Sequence, residues 1–405
     1  MSPVAPPPSP LPAPLVRTPE EWRTALISVG ERPYRAQQVF QWIHKKCVLD
    51  PSAMSDLPAS LRERLAAEGL ASPIEIASAR RSLDDTRKLL VKLRDGATVE
   101  TVLIPAVSGP GSPARGNPRA DYELDADTAT MDDLDEEPEA APEPKPFRRV
   151  TQCISTQVGC AMGCVFCASG VAGLKRHLTA DEIVAQVLHG RAMLDEGEAL
   201  TNVVLMGMGE PLHNYEATAR ALAIFIRQDG LSLSSRRVTV STSGLVPEIA
   251  RLGREFSGQI TLAISLHATT DERRSALMPI NKKYPLAELI KALRDYPLPK
   301  RRRITIEFTL VSGQNDSLDE ARRLVELLRG IPVKVNLIPM NPIDASVLGP
   351  PKLEGVLAFQ RVLLDAGYSC FVRRRRGDDV DAACGQLALL GAAPRKRRAF
   401  AADES

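Results

Sequence analysis

Residues 160–167 read Cys-Ala-Met-Gly-Cys-Val-Phe-Cys, so Cys160, Cys164 and Cys167 form a C-x3-C-x2-C motif. Cysteine thiolates are the usual protein ligands of iron–sulfur clusters, and three on one short loop can bind three irons of a [4Fe-4S] cluster. No fourth cysteine follows at the spacing of an electron-transfer ferredoxin. One iron would therefore be left open to bind a reactant. The alternative is a structural zinc site, but such sites use four protein ligands, commonly as paired C-x2-C units.

The sequence after Arg149 alternates short β-branched runs with helical stretches. Strands separated by single helices form βαβ units and a parallel sheet, so the pattern predicts an α/β fold, a partial (β/α)6 barrel. Chemistry in such folds lies at the carboxyl ends of the strands, and the cysteine motif directly follows the first predicted strand. The predicted strands are 151–156, 202–206, 237–241, 261–266, 304–310, 333–338 and 369–373, and the predicted helices include 179–194 and 316–329.

The regions around the barrel differ in composition. Thr18-Pro19-Glu20-Glu21 is typical of a helix start, with threonine as the cap and proline at the first helical position. Large apolar residues are scarce between residues 105 and 146, which predicts disorder in that segment. The sequence thus predicts a disordered proline-rich tail (1–17), a small N-terminal helical accessory domain (18–75), a strand connector (76–104), an acidic disordered insertion (105–148), the barrel (149–376) and a C-terminal extension (377–405).

Composition excludes several classes of protein. No apolar run approaches the ~18 residues of a membrane-spanning helix. The proline-rich start lacks the basic and apolar regions of a signal peptide. Seven cysteines, three of them in one motif, fit a reducing cytoplasm better than a disulfide scaffold. We therefore expect a cytoplasmic protein with no membrane partner.

Charge is unevenly distributed along the chain. The formal net charge is +2, but the stretch Asp121–Pro144 contains eleven acidic residues and no Lys or Arg, so the rest is clearly basic. Basic clusters at Arg301–Arg303, Arg373–Arg376 and Arg395–Arg398 indicate a polyanionic partner, with nucleic acid the obvious candidate. The alternative is that these clusters are solvated faces or, for the last one, a disordered tail.

Polar residues and glycines follow several of the predicted strands. Gly207-Met208-Gly209-Glu210-Pro211 follows the strand at 202–206, where glycines let the backbone approach a ligand and Glu210 can accept a hydrogen bond from an ammonium group. Taken singly, each of these residues is equally an ordinary loop residue. The other strand-end candidates are Ser241, Ser265, Leu266, His267 and Asn341.

Two further cysteines stand out from their surroundings. Cys384 is flanked by alanines and glycine, which leave space for it to face a cavity, and Cys153 lies in the first predicted strand. A buried core position is the alternative for Cys153, because free cysteines are often buried. Cys47 and Cys370 lack such a context, and we take them as structural.

The cysteine motif and the Gly-Glu-Pro segment together resemble radical S-adenosylmethionine (SAM) enzymes. Over residues 32–387, interrupted only by the acidic insertion, the chain resembles the bacterial dual-specificity adenine-C2 RNA methyltransferases, which act on 23S rRNA and tRNA. The motifs that carry this resemblance are Tyr34-Arg-Ala-Gln-Gln-Val-Phe, Val99-Glu-Thr-Val, Ser155-Thr-Gln-Val-Gly-Cys, Met206-Gly-Met-Gly-Glu-Pro, Arg237-Val-Thr-Val-Ser-Thr-Ser-Gly, Ile264-Ser-Leu-His-Ala, Pro279-Ile-Asn-Lys-Lys-Tyr, Asn336-Leu-Ile-Pro and the segment around Cys384.

The resemblance implies a role for each site residue. It implies one [4Fe-4S] cluster per chain on Cys160, Cys164 and Cys167. It also implies methyl transfer through S-methylated Cys384, removal of the C2 proton by Glu100, and product release by a disulfide between Cys153 and Cys384. The implied SAM site consists of Gly209, Glu210, Ser241, Ser265, Leu266, His267 and Asn341.

The resemblance also implies partners. They are 23S rRNA, tRNA and an electron donor such as flavodoxin, and we expect a monomer whose N-terminal domain helps to bind RNA. Three alternatives remain: methylation at adenine C8, as in a sister family that gives antibiotic resistance, a radical SAM enzyme for a small molecule, and a zinc-stabilised RNA-binding protein without catalysis.

Overall fold

The computed structural model describes residues 11–106, 147–343, 348–373, 376–380, 382 and 385–387. The strands in these residues are β1 (Ile74–Arg81), β2 (Arg87–Leu93), β3 (Thr98–Pro105), β4 (Arg148–Cys153), β5 (Gln157–Val158), β6 (Arg176–His177), β7 (Glu198–Leu205), β8 (Val238–Thr242), β9 (Thr261–Ser265), β10 (Ile304–Leu310), β11 (Val333–Pro339) and β12 (Ser369–Val372). The α-helices are α1 (Pro19–Ser28), α2 (Arg35–His44), α3 (Ala59–Ala67), α4 (Ala168–Ala172), α5 (Ala180–Ala192), α6 (Tyr215–Phe225), α7 (Val246–Glu255), α8 (Asp271–Leu277), α9 (Leu286–Arg294), α10 (Leu318–Leu328) and α11 (Leu353–Asp365).

The predicted α/β architecture is confirmed. Strands β4 and β7 to β12 pair in parallel in chain order, with helices between successive strands, so six βα units are followed by a seventh strand. All seven residues of β10 are buried, as expected for a parallel strand covered on both faces. The strand predicted at 304–310 has these bounds, whereas the one predicted at 202–206 begins earlier, at Glu198.

Helix caps agree with the sequence signals. The Thr18 N–H donates to Glu21 Oε2 at 2.8 Å and Thr18 Oγ1 accepts from the Glu21 N–H at 3.3 Å, which completes a capping box at the start of α1. At α5, the Thr179 N–H donates to Glu182 Oε2 at 2.9 Å. This cap fixes the start of the helix that follows the cysteine loop.

The strands predicted as a connector extend the main sheet. β1, β2 and β3 form an antiparallel meander, and β3 pairs antiparallel with β4, with Val102 opposite Cys153. Pro105 and Arg148, the first and last residues of the predicted acidic insertion, lie in β3 and β4. The disorder predicted for 105–148 therefore does not extend to its two end residues, because strand pairing orders them. The rest of that insertion, 107–146, lies outside the described residues.

The N-terminal helices share a hydrophobic core with the barrel. Trp22, Phe40 and Ile43 are fully buried in that core. The prediction that 1–17 is wholly disordered is wrong at its end, because residues 14–16 form a short 3-10 helix. Leu15 and Val16 are buried there, since burying two adjacent apolar side chains offsets the cost of ordering this turn.

None of the described helices has the length and apolar character that crossing a membrane would require.

Candidate active site

A cavity at the carboxyl ends of the parallel strands brings most of the predicted site residues together. Leu266, Cys153 and Glu100 do not line it. Gly385, the residue after Cys384, lies on its wall, but Cys384 itself is outside the described residues. The predicted residues that line the cavity are Cys160, Cys164, Cys167, Gly209, Glu210, Ser241, Ser265, His267 and Asn341.

The three cysteines of the motif occupy a low-dielectric environment. Burial is the largest cause of a rise in the pKa of Cys160 to about 12 and in the pKa of Cys164 to well above its ordinary value, and neighbouring thiols contribute to both shifts. The thiolate form therefore needs a positive charge nearby, which a bound metal ion would supply. Among the described residues, no group of three or more His, Cys, Asp or Glu side chains is arranged to hold a metal ion. A [4Fe-4S] cluster requires a different arrangement of ligands from a single metal ion. Each of its three cysteine ligands binds a different iron, so the three sulfurs need not converge on one point.

The loop after β7 has a backbone that only glycine adopts easily. Gly209 has a φ of +107°, and a Cβ there would lie 2.6 Å from the Cβ of Gln157. The buried side chain of Gln157 accepts a hydrogen bond from the Glu210 N–H at 2.8 Å. The loop is thus held directly against the segment that leads into the cysteine motif.

The carboxylate of Glu210 is held by two backbone N–H groups and one hydroxyl group. Its Oε2 accepts from the Ser243 N–H at 2.7 Å and from Ser243 Oγ at 2.9 Å, and its Oε1 accepts from the Leu212 N–H at 3.1 Å. Burial raises the pKa of Glu210, while these hydrogen bonds oppose the rise. The carboxylate is therefore fixed in place at the cavity wall.

His267 presents a neutral imidazole to the cavity. Burial lowers its pKa to about 3, and its Nδ1 accepts a hydrogen bond from the Thr309 N–H at 2.9 Å. The proton of the neutral ring must then be on Nε2, which is left as a donor. The residue has a φ of +58°, an uncommon conformation for a side-chain-bearing residue.

Strand register shows which other side chains share the face of the cavity. Glu307 pairs with Ser265 across β9 and β10, and both line the cavity. Paired residues and residues two apart lie on one face of a sheet. The same face continues from Ser265 across β8 and β7 to Cys153 on β4. Cys153 pairs with Val102 on β3, and Glu100, two residues before Val102, lies on the same face. Cys153 and Glu100 thus belong to the face that forms the cavity, although they do not line it.

Comparison with known proteins identifies the family. Family models match at residues 154–327, for the Radical SAM superfamily, and at 17–69, for the ribosomal RNA large subunit methyltransferase N-terminal domain. The chain is 69% identical to the dual-specificity RNA methyltransferase RlmN of Sorangium cellulosum (strain So ce56), over 96% of this chain and 98% of the relative. The chain belongs to the RlmN family of dual-specificity RNA methyltransferases.

Other relatives agree with the RlmN assignment. The RlmN of Anaeromyxobacter dehalogenans (strain 2CP-C) is 43% identical over 95% of this chain and 94% of its own length. Among solved structures, a radical SAM methyltransferase from Sphaerobacter thermophilus is 41% identical, with a TM-score of 0.78 over 92% of this chain and 98% of that chain. The similarity therefore extends over the N-terminal helices, the barrel and the sheet between them.

In this RlmN-family chain the three predicted site residues that do not line the cavity are bonded to neighbouring residues. The buried side chain of Glu100 forms an ion pair with Lys88 at 3.1 Å. The carbonyl of Cys153 accepts from Thr101 Oγ1 at 2.7 Å. Leu266 is fully buried, and its N–H donates to the Glu307 carbonyl at 3.0 Å.

The residues that follow Cys384 attach to the cysteine loop. The Ala168 N–H donates to the Gly385 carbonyl at 2.9 Å, and Ser169 Oγ donates to the Leu387 carbonyl at 2.7 Å. Ala168 and Ser169 directly follow the third cysteine of the motif. The C-terminal segment is thus fastened beside the proposed cluster ligands.

Sequence reasoning missed three residues that build the site. Gln157 lies within a quoted motif but was assigned no role, although it accepts from the Glu210 N–H. Glu307 lines the cavity from the middle of β10, where a strand pattern gives no functional signal. Arg274 is fully buried beneath the strand ends, and only helical periodicity on α8 separates it from the half-exposed Arg273.

Proposed function

We propose that this chain is a radical SAM methyltransferase that adds a methyl group to C2 of adenine in 23S rRNA and in tRNA. The observation that carries the proposal is the joint cavity of the three-cysteine loop and the Gly209–Glu210 loop in a chain with full-length RlmN relatives. The dual-specificity names of these relatives support both classes of RNA. Cytoplasmic action, a monomer and an electron donor such as flavodoxin complete the proposal.

Cys160, Cys164 and Cys167 would hold one [4Fe-4S] cluster through three irons. Three soft thiolate donors on one wall of a cavity fit this group better than they fit a four-ligand zinc site. Such a cluster would supply the electron that cleaves SAM to methionine and a 5′-deoxyadenosyl radical.

The SAM site is assigned to the strand ends around the cavity. Glu210, held by Ser243, would accept from the amino group of SAM, and His267 would donate through Nε2. The glycine at 209 lets the backbone approach the ligand without a side chain in the way. Ser241, Ser265 and Asn341 complete the proposed site. Leu266 belongs to it only as the residue between Ser265 and His267, because it does not line the cavity and its N–H and carbonyl bond the Glu307 carbonyl and Arg274 Nε.

Three residues are proposed to carry the methyl group and release the product. Adenine C2 is electron-poor and does not attack the methyl group of SAM directly, so Cys384 first takes that methyl group as a thiolate. The 5′-deoxyadenosyl radical would remove one hydrogen atom from the S-methyl group, and the resulting methylene radical would add to C2. Glu100 would then remove the C2 proton, and one electron would pass from the adduct to the cluster. Cys153 would attack the sulfur of Cys384, forming a disulfide, and the released carbon would take up a proton to become the methyl group of the freed RNA.

The side chains of Cys153 and Glu100 support these roles by their shared sheet face with the cavity. Lys88 can hold the Glu100 carboxylate in position at the edge of that face. Methylation at adenine C8 uses the same cysteines and cluster, and the RlmN relatives favour C2.

Mass spectrometry of nucleosides tests the proposal. Cluster-reconstituted protein is incubated anaerobically with SAM, a reductant and unmodified 23S rRNA or tRNA. We expect 2-methyladenosine from both RNAs. The product 8-methyladenosine would overturn the C2 assignment, and SAM cleavage without any methylated adenosine would overturn the RNA assignment.

Cysteine variants test the assigned roles. Cys384→Ala should abolish methylation while some SAM cleavage continues, and Cys153→Ala should accumulate a covalent protein–RNA adduct. Cys47→Ala is the matched control, because Cys47 is a free cysteine that does not line the cavity. Normal turnover by Cys153→Ala would show that Cys153 does not release the product.

A further inference from the structure

A fully buried arginine lies beneath the proposed SAM and cluster sites. Arg274, on α8, is 0% exposed. Its Nη2 donates to the carbonyls of Ser243 at 2.6 Å and Ser265 at 3.2 Å, and its Nε donates to the carbonyl of Leu266 at 3.1 Å. Its Nη1 donates to Asn281 Oδ1 at 2.9 Å. One guanidinium therefore joins the ends of β8 and β9 where they face the cavity.

All of these hydrogen-bond acceptors are neutral. Within the described part of the chain, Arg274 forms no ion pair with an Asp or Glu side chain, whereas its neighbour Arg273 pairs with Glu320 at 2.8 Å. Burial lowers the pKa of Arg274 to about 10, so it remains a cation at neutral pH. A buried cation without a bonded carboxylate is costly unless another anion lies nearby.

Helix α8, which carries Arg274, packs directly against the cysteine loop. The N–H of Val165, the residue after Cys164, donates to the carbonyl of Leu277 at the end of α8 at 3.1 Å, and Cys164 packs against Leu277 and Met278. The Asp271 carboxylate is linked to Arg274 through Asn281, whose Nδ2 donates to Asp271 Oδ1 at 2.9 Å. Thiolates that bind a cluster on this loop would therefore place negative charge beside the helix that carries Arg274.

We propose that Arg274 is the internal counter-cation of the three-cysteine site and raises the reduction potential of a cluster held there. The inference rests on the proposed function, since it requires the cluster. Reduction adds one electron to a cluster that already carries three thiolates, and a buried cation in a low dielectric stabilises the more negative state. Arg274 is a positioning residue as well, because it fixes the Ser243 carbonyl while the Ser243 N–H holds Glu210.

Redox titration of three variants tests the inference. Arg274→Gln removes the cation, Arg274→Lys keeps it without the planar fork, and Arg273→Gln is the matched control that removes one positive charge from the same helix. Each reconstituted protein is titrated anaerobically with dithionite and mediators, and the reduced cluster is followed by electron paramagnetic resonance. SAM affinity is measured in parallel.

For Arg274→Gln we expect the ratio of reduced to oxidised cluster at a fixed potential to fall about tenfold, which is ~59 mV for a one-electron couple. Arg274→Lys should keep the wild-type potential but bind SAM more weakly, because the carbonyls lose their common donor. Arg273→Gln should match wild type in both measurements.

Two outcomes would overturn the inference. The first is a wild-type potential in Arg274→Gln, and the second is an equal fall in Arg274→Lys, which would show a structural effect instead of a charge effect. If Arg274→Gln does not fold, Arg274→Lys alone decides: an unchanged potential with weakened SAM binding supports the inference, and a lowered potential overturns it. Wild-type protein without iron and sulfide would overturn the proposed function first.

Discussion

The Glu210 side chain is held in the proposed SAM site as a hydrogen-bond acceptor. Both of its oxygens accept from N–H or O–H donors of Ser243 and Leu212. Glu210→Gln would turn an N–H2 group toward at least one of these donors, leaving buried groups unsatisfied. We expect SAM affinity to fall by about tenfold to a hundredfold, since hydrogen bonds to charged groups contribute roughly 1.5–3 kcal/mol.

Equilibrium dialysis with cluster-loaded protein measures this change. Glu288→Gln is the control, because Glu288 is exposed on α9 and does not line the cavity. Wild-type affinity in Glu210→Gln would exclude the carboxylate from SAM binding. Equal losses in both variants would indicate a general effect of the charge change.

His44 makes stability depend on pH. Burial lowers its pKa from 6.5 to about 3, while Asp229 and Arg227 act on it in opposite directions. The unfolded chain therefore binds a proton that the folded chain does not, and stability falls as pH drops below 6.5 toward 3. At pH 5 the loss is ~2 kcal/mol, because one pKa unit corresponds to about 1.36 kcal/mol.

Urea unfolding at pH 7 and pH 5 tests this dependence. Wild type should lose about 2 kcal/mol more than His44→Leu between the two values. The His44→Leu protein still contains His267, whose pKa is also lowered to about 3, so a residual loss should remain. Equal pH dependence in both proteins would contradict the assignment to His44.

At the scale of residues, the sequence identifies the reactive groups better than their supports. The cysteine spacing and the Gly-Glu-Pro segment predicted side chains that do line one cavity. Arg274 could not be predicted, because its role follows from three carbonyls on two strands that meet only in the folded sheet. In the sequence it is one of two adjacent arginines near a helix start.

Helix α5 is fastened to the first barrel strand by one buried side chain. Gln186 Oε1 accepts from the Ser155 N–H at 3.0 Å, and its Nε2 donates to the Ser155 carbonyl at 2.9 Å. The Gln186 carbonyl also accepts from Gln152 Nε2 at 2.7 Å. Because Ser155 lies five residues before Cys160, this contact fixes the chain that enters the cysteine loop.

Gln186→Leu should therefore weaken both the fold and the cluster site. It leaves a buried N–H and a buried carbonyl of Ser155 without partners, at ~1–3 kcal/mol each. We expect a loss of about 2–4 kcal/mol in urea unfolding and a lower iron content after reconstitution. Gln228→Leu, at an exposed position, should change neither, and an unchanged iron content in Gln186→Leu would contradict the coupling.

At the scale of elements, local patterns predicted the parallel strands but not the extent of the sheet. The alternation of β-branched runs with helices identified β10 with its bounds. The pairing of β3 with β4 joins segments separated by the acidic stretch, and no local pattern specifies such a contact. The meander was therefore predicted as strands without its place at the edge of the barrel sheet.

Across the whole molecule, basic clusters do not all have one role. Arg301–Arg303 directly precede β10 and lie away from the cavity, because the cavity is at the opposite ends of the strands. Arg376 forms an ion pair with Asp84 at 3.0 Å and donates to the Pro105 carbonyl at 3.0 Å. This arginine secures the C-terminal segment to the meander, so only part of the basic excess is left for RNA.

The acidic stretch leaves and re-enters the sheet at neighbouring positions. β3 and β4 are antiparallel partners, and the Ala106 N–H donates to the Arg149 carbonyl at 2.7 Å. Short Asn-Gly turns connect such strands without strain. Replacing residues 107–146 by Asn-Gly leaves a four-residue loop between Ala106 and its partner Arg149, a common hairpin length. The fold should therefore be kept, with urea unfolding unchanged to within about 1 kcal/mol.

The same replacement should strengthen RNA binding, because it removes eleven acidic and only three basic residues. We expect a several-fold gain in affinity for tRNA at low salt, measured by fluorescence anisotropy, and a smaller gain at high salt, where charges are screened. A full-length control with the eleven acidic residues changed to Asn or Gln separates charge from length and should show the same gain. An affinity unchanged in both proteins would contradict the electrostatic argument, whereas a gain in the deletion alone would assign the effect to the bulk of the segment.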